Sequence, residues 1–221
     1  HQHAYSLLLD TVGMPEVEYK AFADYEAMAD KHEYIDAIKV SKGDKRSIAK
    51  ALAVYSGFTE GLQLFSSFII LLNFPRFGKM KGMGQIITYS IRDESLHVEA
   101  MTKLFREFIQ ENIDIWDDEF KAEIYQACRE MVTLEDRFLE LVFEEGDIEG
   151  LTQAEMQEYI RYIADRRLLQ LGLKPNYDIK NNPLNWLDDV LGVEHQNFFE
   201  GRATTYMKAG MRGDVNKVSF V

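Results

Sequence analysis

Glu94 and His97 stand three positions apart and form the first pair of candidate metal ligands in the sequence. Residues at positions i and i+3 lie on one face of a helix, so both side chains can reach the same ion. The pair follows Ile86, Ile87 and Ile91, whose spacing indicates a helix packed in a core. The spacing alone is weak evidence, and an acid and a histidine on the surface are the alternative interpretation.

A second candidate ligand, Glu60, lies in the apolar stretch GFTEGLQLFSSFIILL. An acid in the middle of such a helix is expected to be buried, and a buried carboxylate requires a proton, a metal ion or a cationic partner. Di-metal sites in helical bundles combine lone carboxylates with Glu-x-x-His pairs that point inward. Glu60, Glu94 and His97 would supply half of such a set. An acid at the helix edge, facing solvent, is the alternative.

The first residue, His1, stands four positions before Tyr5, on the same helix face and one turn away. If His1 ends another Glu-x-x-His pair, its glutamate would precede this sequence. A phenol one turn from a metal ligand could be oxidised by an oxygen-activated di-metal centre. From the residues alone, a core aromatic at position 5 and a frayed terminus at position 1 are the competing interpretation.

Long helices must position these residues, because only 4 prolines and 14 glycines interrupt the 221 residues. The predicted class is all-α, an antiparallel helical bundle over residues 1–200 followed by a flexible tail over 201–221. A loop is predicted over Asn73–Gly84. Helices are predicted from His1 to a stop at Gly13, over Glu16–Lys39, from a cap at Asp44 to Leu72, and over Gln85–Gln110, Asp118–Glu145 and Thr152–Leu171.

Composition excludes several classes of protein. Hydrophobic residues make up 46% and charged residues 28%, which is typical of a globular chain rather than a disordered one. The net charge of −12 argues against nucleic acid as a partner. The longest apolar run, Leu64–Leu72, is too short to span a membrane. A single cysteine, Cys128, allows no intrachain disulfide and favours a cytoplasmic location.

The sequence resembles the small, radical-generating subunit of class I ribonucleotide reductase over essentially its whole length. The family's R-D-E-x-x-H block corresponds to SIRDESLHVEAM, and its H-x-x-x-Y segment to the opening HQHAYSLLLDTV. Glu60 precedes Glu94 by the number of residues that the family shows. The segments NNPLNW and NFFEGRATTYMKAG resemble the end of the family's bundle and the start of its C-terminal tail.

The resemblance implies a ferritin-like bundle that holds two metal ions and stores a stable radical on Tyr5. The metal would be iron, with manganese or a mixed manganese–iron pair as alternatives. Phe68 would belong to an apolar wall beside the radical. The family uses two further carboxylate ligands that would precede this sequence, so an N-terminal part is expected to be missing. The residues that match family ligands are His1, Glu60, Glu94 and His97.

Two more residues match the family's route for long-range electron transfer. Asp93 matches an acid that hydrogen-bonds a ligand histidine, and Tyr206 matches a tail tyrosine that relays the oxidising equivalent to the large subunit. The resemblance therefore implies a homodimeric small subunit of ribonucleoside-diphosphate reductase that needs the large subunit for turnover. Another ferritin-like di-metal oxidase, an iron-storage protein and an inert helical fragment are the alternatives.

Overall fold

A computed structural model describes residues 2–13 and 25–190, and these residues form helices joined by short connections. Within this part of the chain, the β pairing is limited to one isolated bridge between Ile148 and Leu151. The predicted all-α class is therefore confirmed. The elements are α1 Gln2–Val12, α2 Glu26–Asp36, α3 Lys45–Ala53, a π-helix Val54–Gln63, α4 Leu64–Arg76, α5 Lys81–Glu111, a 3-10 turn Ile113–Ile115, α6 Asp118–Val142 and α7 Gln153–Gln170.

Side-chain caps define where three of these helices begin. Asp44 caps α3 and Asp117 caps α6, each by accepting a hydrogen bond from a backbone N–H of the first turn. Thr152 and Glu155 form a complete capping box at the start of α7. Each cap satisfies backbone donors that have no partner within the helix. The predictions of caps at Asp44 and Thr152 are confirmed.

The second helix is shorter than predicted. Tyr25 has an extended backbone (φ −91°, ψ 118°), and α2 begins directly after it and ends at Asp36. A continuous helix over Glu16–Lys39 is therefore wrong, and residues 14–24 lie outside the described ranges. No residue of α2 is fully buried. The spacing of its apolar residues therefore did not predict the first and last residues of the helix.

The connection between α4 and α5 is much shorter than the predicted loop over Asn73–Gly84, which is wrong at both ends. Pro75 lies in the last turn of α4, and Gly84 lies in the first turn of α5. The two residues face each other so closely that a Cβ on Gly84 would collide with Cγ of Pro75. Because Gly84 has no side chain, the end of α4 and the start of α5 can pack together at Pro75. Neither residue interrupts its helix.

The π-helix lies at the centre of the bundle and packs against α5, α6 and α7. Around it, α4 packs along α5, α6 along α7, and α2 against α6. The end of α7 lies close to Gly57, where a Cβ would lie 3.3 Å from Cδ1 of Leu171, the residue that follows α7. The fully buried apolar side chains of this core include Phe58, Leu62, Ile69, Ile87, Phe105, Ile124, Met131, Leu139 and Tyr159.

Among the described residues, one helical stretch, residues 45–76, is long and apolar enough to cross a membrane by length and composition alone. However, 67% of its most apolar window is buried inside the protein. Burial of this extent is typical of a core helix, and it matches the central position of the π-helix.

The described residues fall into two units. The first ends at Leu184, and residues 185–190 of the second are helical. The connection that contains Pro175 and Pro183 is not helical, as predicted. The predicted boundary between a bundle over 1–200 and a tail over 201–221 lies outside the described residues and stays a prediction.

Candidate metal centre

Three of the four predicted metal ligands lie together. Glu60 comes from the π-helix, whereas Glu94 and His97 come from α5. Each residue offers one ligand atom, and these three atoms all lie within 4.8 Å of one another. Within α5, Nδ1 of His97 lies 3.2 Å from Oε2 of Glu94. The fourth predicted ligand, His1, lies outside the described residues.

The cluster extends from the bundle interior to its surface. Glu94 is only 7% exposed, whereas the side chain of His97 is 56% exposed. Burial raises the pKa of Glu60, the negative charge of Glu94 raises it further, and His97 opposes both effects. Two carboxylates that share a partly desolvated site favour a bound cation, because a cation compensates both negative charges.

The π-helix determines where Glu60 points. Its hydrogen bonds span five residues instead of four, as the bond from the N–H of Leu64 to the carbonyl oxygen of Thr59 shows. Segments of this kind are frequent at functional sites, because the wider turn redirects side chains. The carbonyl oxygen of Gly61 accepts a 2.8 Å hydrogen bond from Nε of Arg167. The turn that carries Glu60 is thus attached to α7.

Arg167 is a buried cation beside this turn. It is 8% exposed, its guanidinium lies over the ring of Phe65 with 5.0 Å between group centres, and Nη1 donates to Oε1 of Gln170 at 3.0 Å. Burial lowers its pKa to about 10. Arg167 was not predicted as a site residue, because no local pattern distinguishes it from the neighbouring Arg166.

Tyr5 is half-buried and contacts the same helix that carries Glu94 and His97. Its hydroxyl donates a 2.8 Å hydrogen bond to Oγ of Ser90, which lies one turn before Glu94. Burial raises the pKa of Tyr5, the hydrogen bond to Ser90 lowers it, and the charge of Glu94 raises it. Ser90 was not predicted as a site residue, although its spacing of four residues from Glu94 places both residues on one helix face.

Three further residues, Asp93, Phe68 and Tyr206, were predicted to act with this site. Asp93 is exposed on α5, and neighbouring helical positions point about 100° apart, so it does not share the direction of Glu94. Phe68 is buried and packs edge-to-face on Phe65 at 6.1 Å. Tyr206 lies outside the described residues. The functional roles of all three stay predictions.

Comparisons with known proteins identify the family. The family described as "Ribonucleotide reductase, small chain" matches residues 1–183. The chain is 41% identical to a probable ribonucleoside-diphosphate reductase small subunit of Invertebrate iridescent virus 6, over 99% of this chain and 71% of that protein. It is 30% identical to the ribonucleoside-diphosphate reductase subunit beta of Chlamydia pneumoniae, over 95% of this chain and 64% of that protein.

Solved structures show the same relationship. The ribonucleotide reductase R2 subunit from Clostridium botulinum superposes with a TM-score of 0.79 and 28% identity, over 86% of this chain and 61% of that one. The chain thus spans between three fifths and three quarters of the length of these relatives.

The fold and the family predictions are confirmed together. The helices form the ferritin-like bundle of ribonucleotide reductase small subunits, which are components of an oxidoreductase and work with a large subunit. The family carries a di-metal carboxylate centre, and the cluster of Glu60, Glu94 and His97 fits it, because it offers two carboxylates and one imidazole at mutual distances that one ion can span. The chain belongs to the ribonucleotide reductase small-chain family.

Proposed function

We propose that this chain generates the radical that drives reduction of ribonucleotides to deoxyribonucleotides in a large catalytic subunit. The observation that carries the proposal is the convergence of Glu60, Glu94 and His97 from two helices. Two metal ions would be held here, with His1 as a further ligand, and iron is the proposed metal. When bound, the oxidised metal pair supplies a one-electron oxidant.

The side chains around the site would have separate tasks. Glu60 and Glu94 would provide negative charge and oxygen ligands, which hard cations such as iron and manganese prefer. His97 would add a nitrogen ligand at the solvent edge. Cys128 is the one cysteine of the sequence, which argues against an iron–sulfur cluster, because such clusters are held by several thiolates.

Tyr5 would store the oxidising equivalent. Its half-buried ring and its hydrogen bond to a buried serine hold the phenol in one position and limit its contact with water. Asp93 and Tyr206 would pass the equivalent on to the large subunit. Phe68, buried beside Phe65, would contribute an apolar wall that keeps reductants away.

The proposed assembly is a homodimer that binds the large subunit in the cytoplasm. The small-subunit family supports the large-subunit partner. A single buried thiol suits a reducing compartment, and a net charge of −12 makes nucleic acid an unsuitable partner.

Metal binding tests the proposal directly. The chain is loaded anaerobically with Fe²⁺ or Mn²⁺, loose ions are removed, and metal content is measured per chain. We expect about two ions per chain in the wild type, with most of this content lost in Glu94→Ala. Glu99→Ala is the matched control, because Glu99 is an exposed acid on the same helix and should leave the content unchanged.

Two results would contradict the proposal for these 221 residues. One is a metal content well below one ion per chain in the folded wild type. The other is an equal loss in Glu94→Ala and Glu99→Ala, which would mean that the ions bind to surface acids in general. If two ions bind, electron paramagnetic resonance (EPR) after exposure to oxygen should show a tyrosyl radical that is absent in Tyr5→Phe.

A further inference from the structure

The hydroxyl group of Tyr5 has a defined partner on a different helix. It donates a 2.8 Å hydrogen bond to Oγ of Ser90, and Oγ of Ser90 donates in turn to the carbonyl oxygen of Ile86 at 3.1 Å. Ser90 is 1% exposed, so water competes little for either bond. Two consecutive hydrogen bonds therefore connect the phenol of Tyr5 to the backbone of α5.

We infer that Ser90 is the residue that positions Tyr5 and tunes the radical formed on it, an inference that rests on the proposed function. In the reduced state, Ser90 accepts the hydrogen bond of the phenol. After oxidation the oxygen of Tyr5 has no proton and can only accept, and a turn of the serine hydroxyl away from Ile86 allows Ser90 to donate to it. Ser90 thus stays the partner of Tyr5 in both states.

Ser90 neither gains nor loses a proton when Tyr5 is oxidised. Oxidation of Tyr5 removes one electron and one proton. The electron would go to the oxidised metal pair that the proposed function names, and the proton would go to a carboxylate oxygen of that centre, such as Glu94, whose negative charge raises the pKa of Tyr5. Ser90 keeps its own proton, because a neutral hydroxyl is too weak a base to hold a second one near neutral pH.

The metal-free chain tests the hydrogen bond itself. Tyrosine labelled with ¹³C at Cζ is incorporated, and the Tyr5 resonance is assigned by its loss in Tyr5→Phe. We expect Ser90→Ala to move this resonance, whereas Ser90→Thr, which keeps a hydroxyl, should leave it near its wild-type position. Circular dichroism confirms that each variant is folded. A Tyr5 resonance that is the same in the wild type and in Ser90→Ala would overturn the inference.

The metal-loaded chain tests the tuning. High-field EPR of the Tyr5 radical should show a larger g1 value in Ser90→Ala, because a hydrogen bond to the phenoxyl oxygen lowers g1. The wild type should also show a proton coupling that disappears in D₂O, and Ser90→Ala should lack that coupling and lose its radical several-fold faster. Identical spectra and lifetimes would overturn the tuning.

These two arms also separate the inference from the proposed function. If the metal-loaded wild type forms no radical on Tyr5, the proposed oxidation of Tyr5 is overturned and the tuning with it. If a Tyr5 radical forms but does not respond to Ser90→Ala, the proposed function stands and the inference about Ser90 is overturned.

Discussion

Nε of Arg167 on α7 donates a 2.8 Å hydrogen bond to the carbonyl oxygen of Gly61, the residue that follows Glu60 in the π-helix. The guanidinium occupies the space that a side chain at position 61 would need, because a Cβ there would lie 2.7 Å from Nε and 3.0 Å from Cδ of Arg167. The absence of a side chain at Gly61 thus allows a contact between helices right beside a proposed metal ligand.

Gly61→Ala should therefore destabilise the bundle and weaken the metal site. The new methyl group must displace the buried guanidinium from the carbonyl oxygen, and overpacking of this kind costs about 1–3 kcal/mol. We expect this loss in the free energy of unfolding, measured with urea, together with a several-fold weaker affinity for Co²⁺ measured by absorbance titration.

Gly57→Ala is the matched control for this prediction. It adds the same methyl group in the same π-helix, but its Cβ would meet the flexible end of Leu171 at 3.3 Å. We expect a change in unfolding free energy within about 1 kcal/mol, because alanine also favours the helix by roughly that amount. Equal losses of Co²⁺ affinity in both variants would contradict a specific role for the contact between Gly61 and Arg167.

A second prediction concerns Glu135, which is fully buried on α6. Nζ of Lys31 on α2 lies 2.5 Å from its Oε1, and the hydroxyl of Ser66 on α4 donates to its Oε2. Burial raises the pKa of Glu135, and the favourable effects of Lys31 and Ser66 only partly oppose this rise. The folded chain thus holds this proton more tightly than the unfolded chain does.

The sign of the pH dependence follows from this raised pKa. Where the native state binds more protons than the unfolded state, the free energy of unfolding falls as the pH rises. The wild type should therefore lose stability relative to Glu135→Gln as the pH rises from the usual carboxyl range toward neutrality. Urea unfolding of both proteins across this range measures the difference. A difference that grows in the opposite direction would mean that the pKa of Glu135 is lowered.

A third prediction concerns Asp165, a buried carboxylate on α7. It accepts hydrogen bonds from the backbone N–H groups of Asn176, Tyr177 and Ile179 at 2.6–2.9 Å. Asp165→Asn replaces one acceptor oxygen by an NH₂ group, so at least one backbone donor loses its partner. We expect a loss of about 1–3 kcal/mol in unfolding free energy.

The exposed Asp178 lies in the segment that Asp165 holds and provides the control for that substitution. Its backbone is left-handed, with φ at 57°, a conformation that asparagine tolerates well. Asp178→Asn makes the same chemical change without removing a buried acceptor. It should leave the unfolding free energy within about 0.5 kcal/mol of the wild type. A similar loss in both variants would show that the negative charge of this region, and not the buried hydrogen bonds, stabilises it.

A fourth prediction concerns Cys128, the only cysteine of the sequence. It is buried in α6, and burial raises the pKa of its thiol to about 12. Because the thiolate is the reactive form, the folded chain should react much more slowly with a thiol reagent than the urea-unfolded chain does. Between pH 7 and pH 9 the rate of the folded chain should keep rising by about tenfold per pH unit, whereas the rate of the unfolded chain should begin to level off near the ordinary thiol pKa of about 8.5. Rapid labelling of the folded chain would contradict the burial of this thiol.

Patterns that depend on neighbouring residues were predicted well. The proximity of Glu94 and His97 follows from helical spacing, and the caps at Asp44 and Thr152 follow from the hydrogen bonds that the first turn of a helix requires. The family was also accessible from the sequence, because SIRDESLHVEAM is a contiguous block. The boundaries around Tyr25 and Pro75 were not predicted. Pro75 at the end of α4 lies against Gly84 of α5, a contact that the local sequence pattern does not reveal.

The sequence by itself determined an all-helical chain, one candidate metal-ligand pair and the family, since each depends on residues close in sequence or on a contiguous motif. Only the tertiary structure decided which distant residues meet. It brings Glu60 to Glu94, Tyr5 to Ser90 and Arg167 to Gly61. Such contacts result from the packing of whole helices, and the π-helix that directs Glu60 differs from an α-helix only in its hydrogen-bond register.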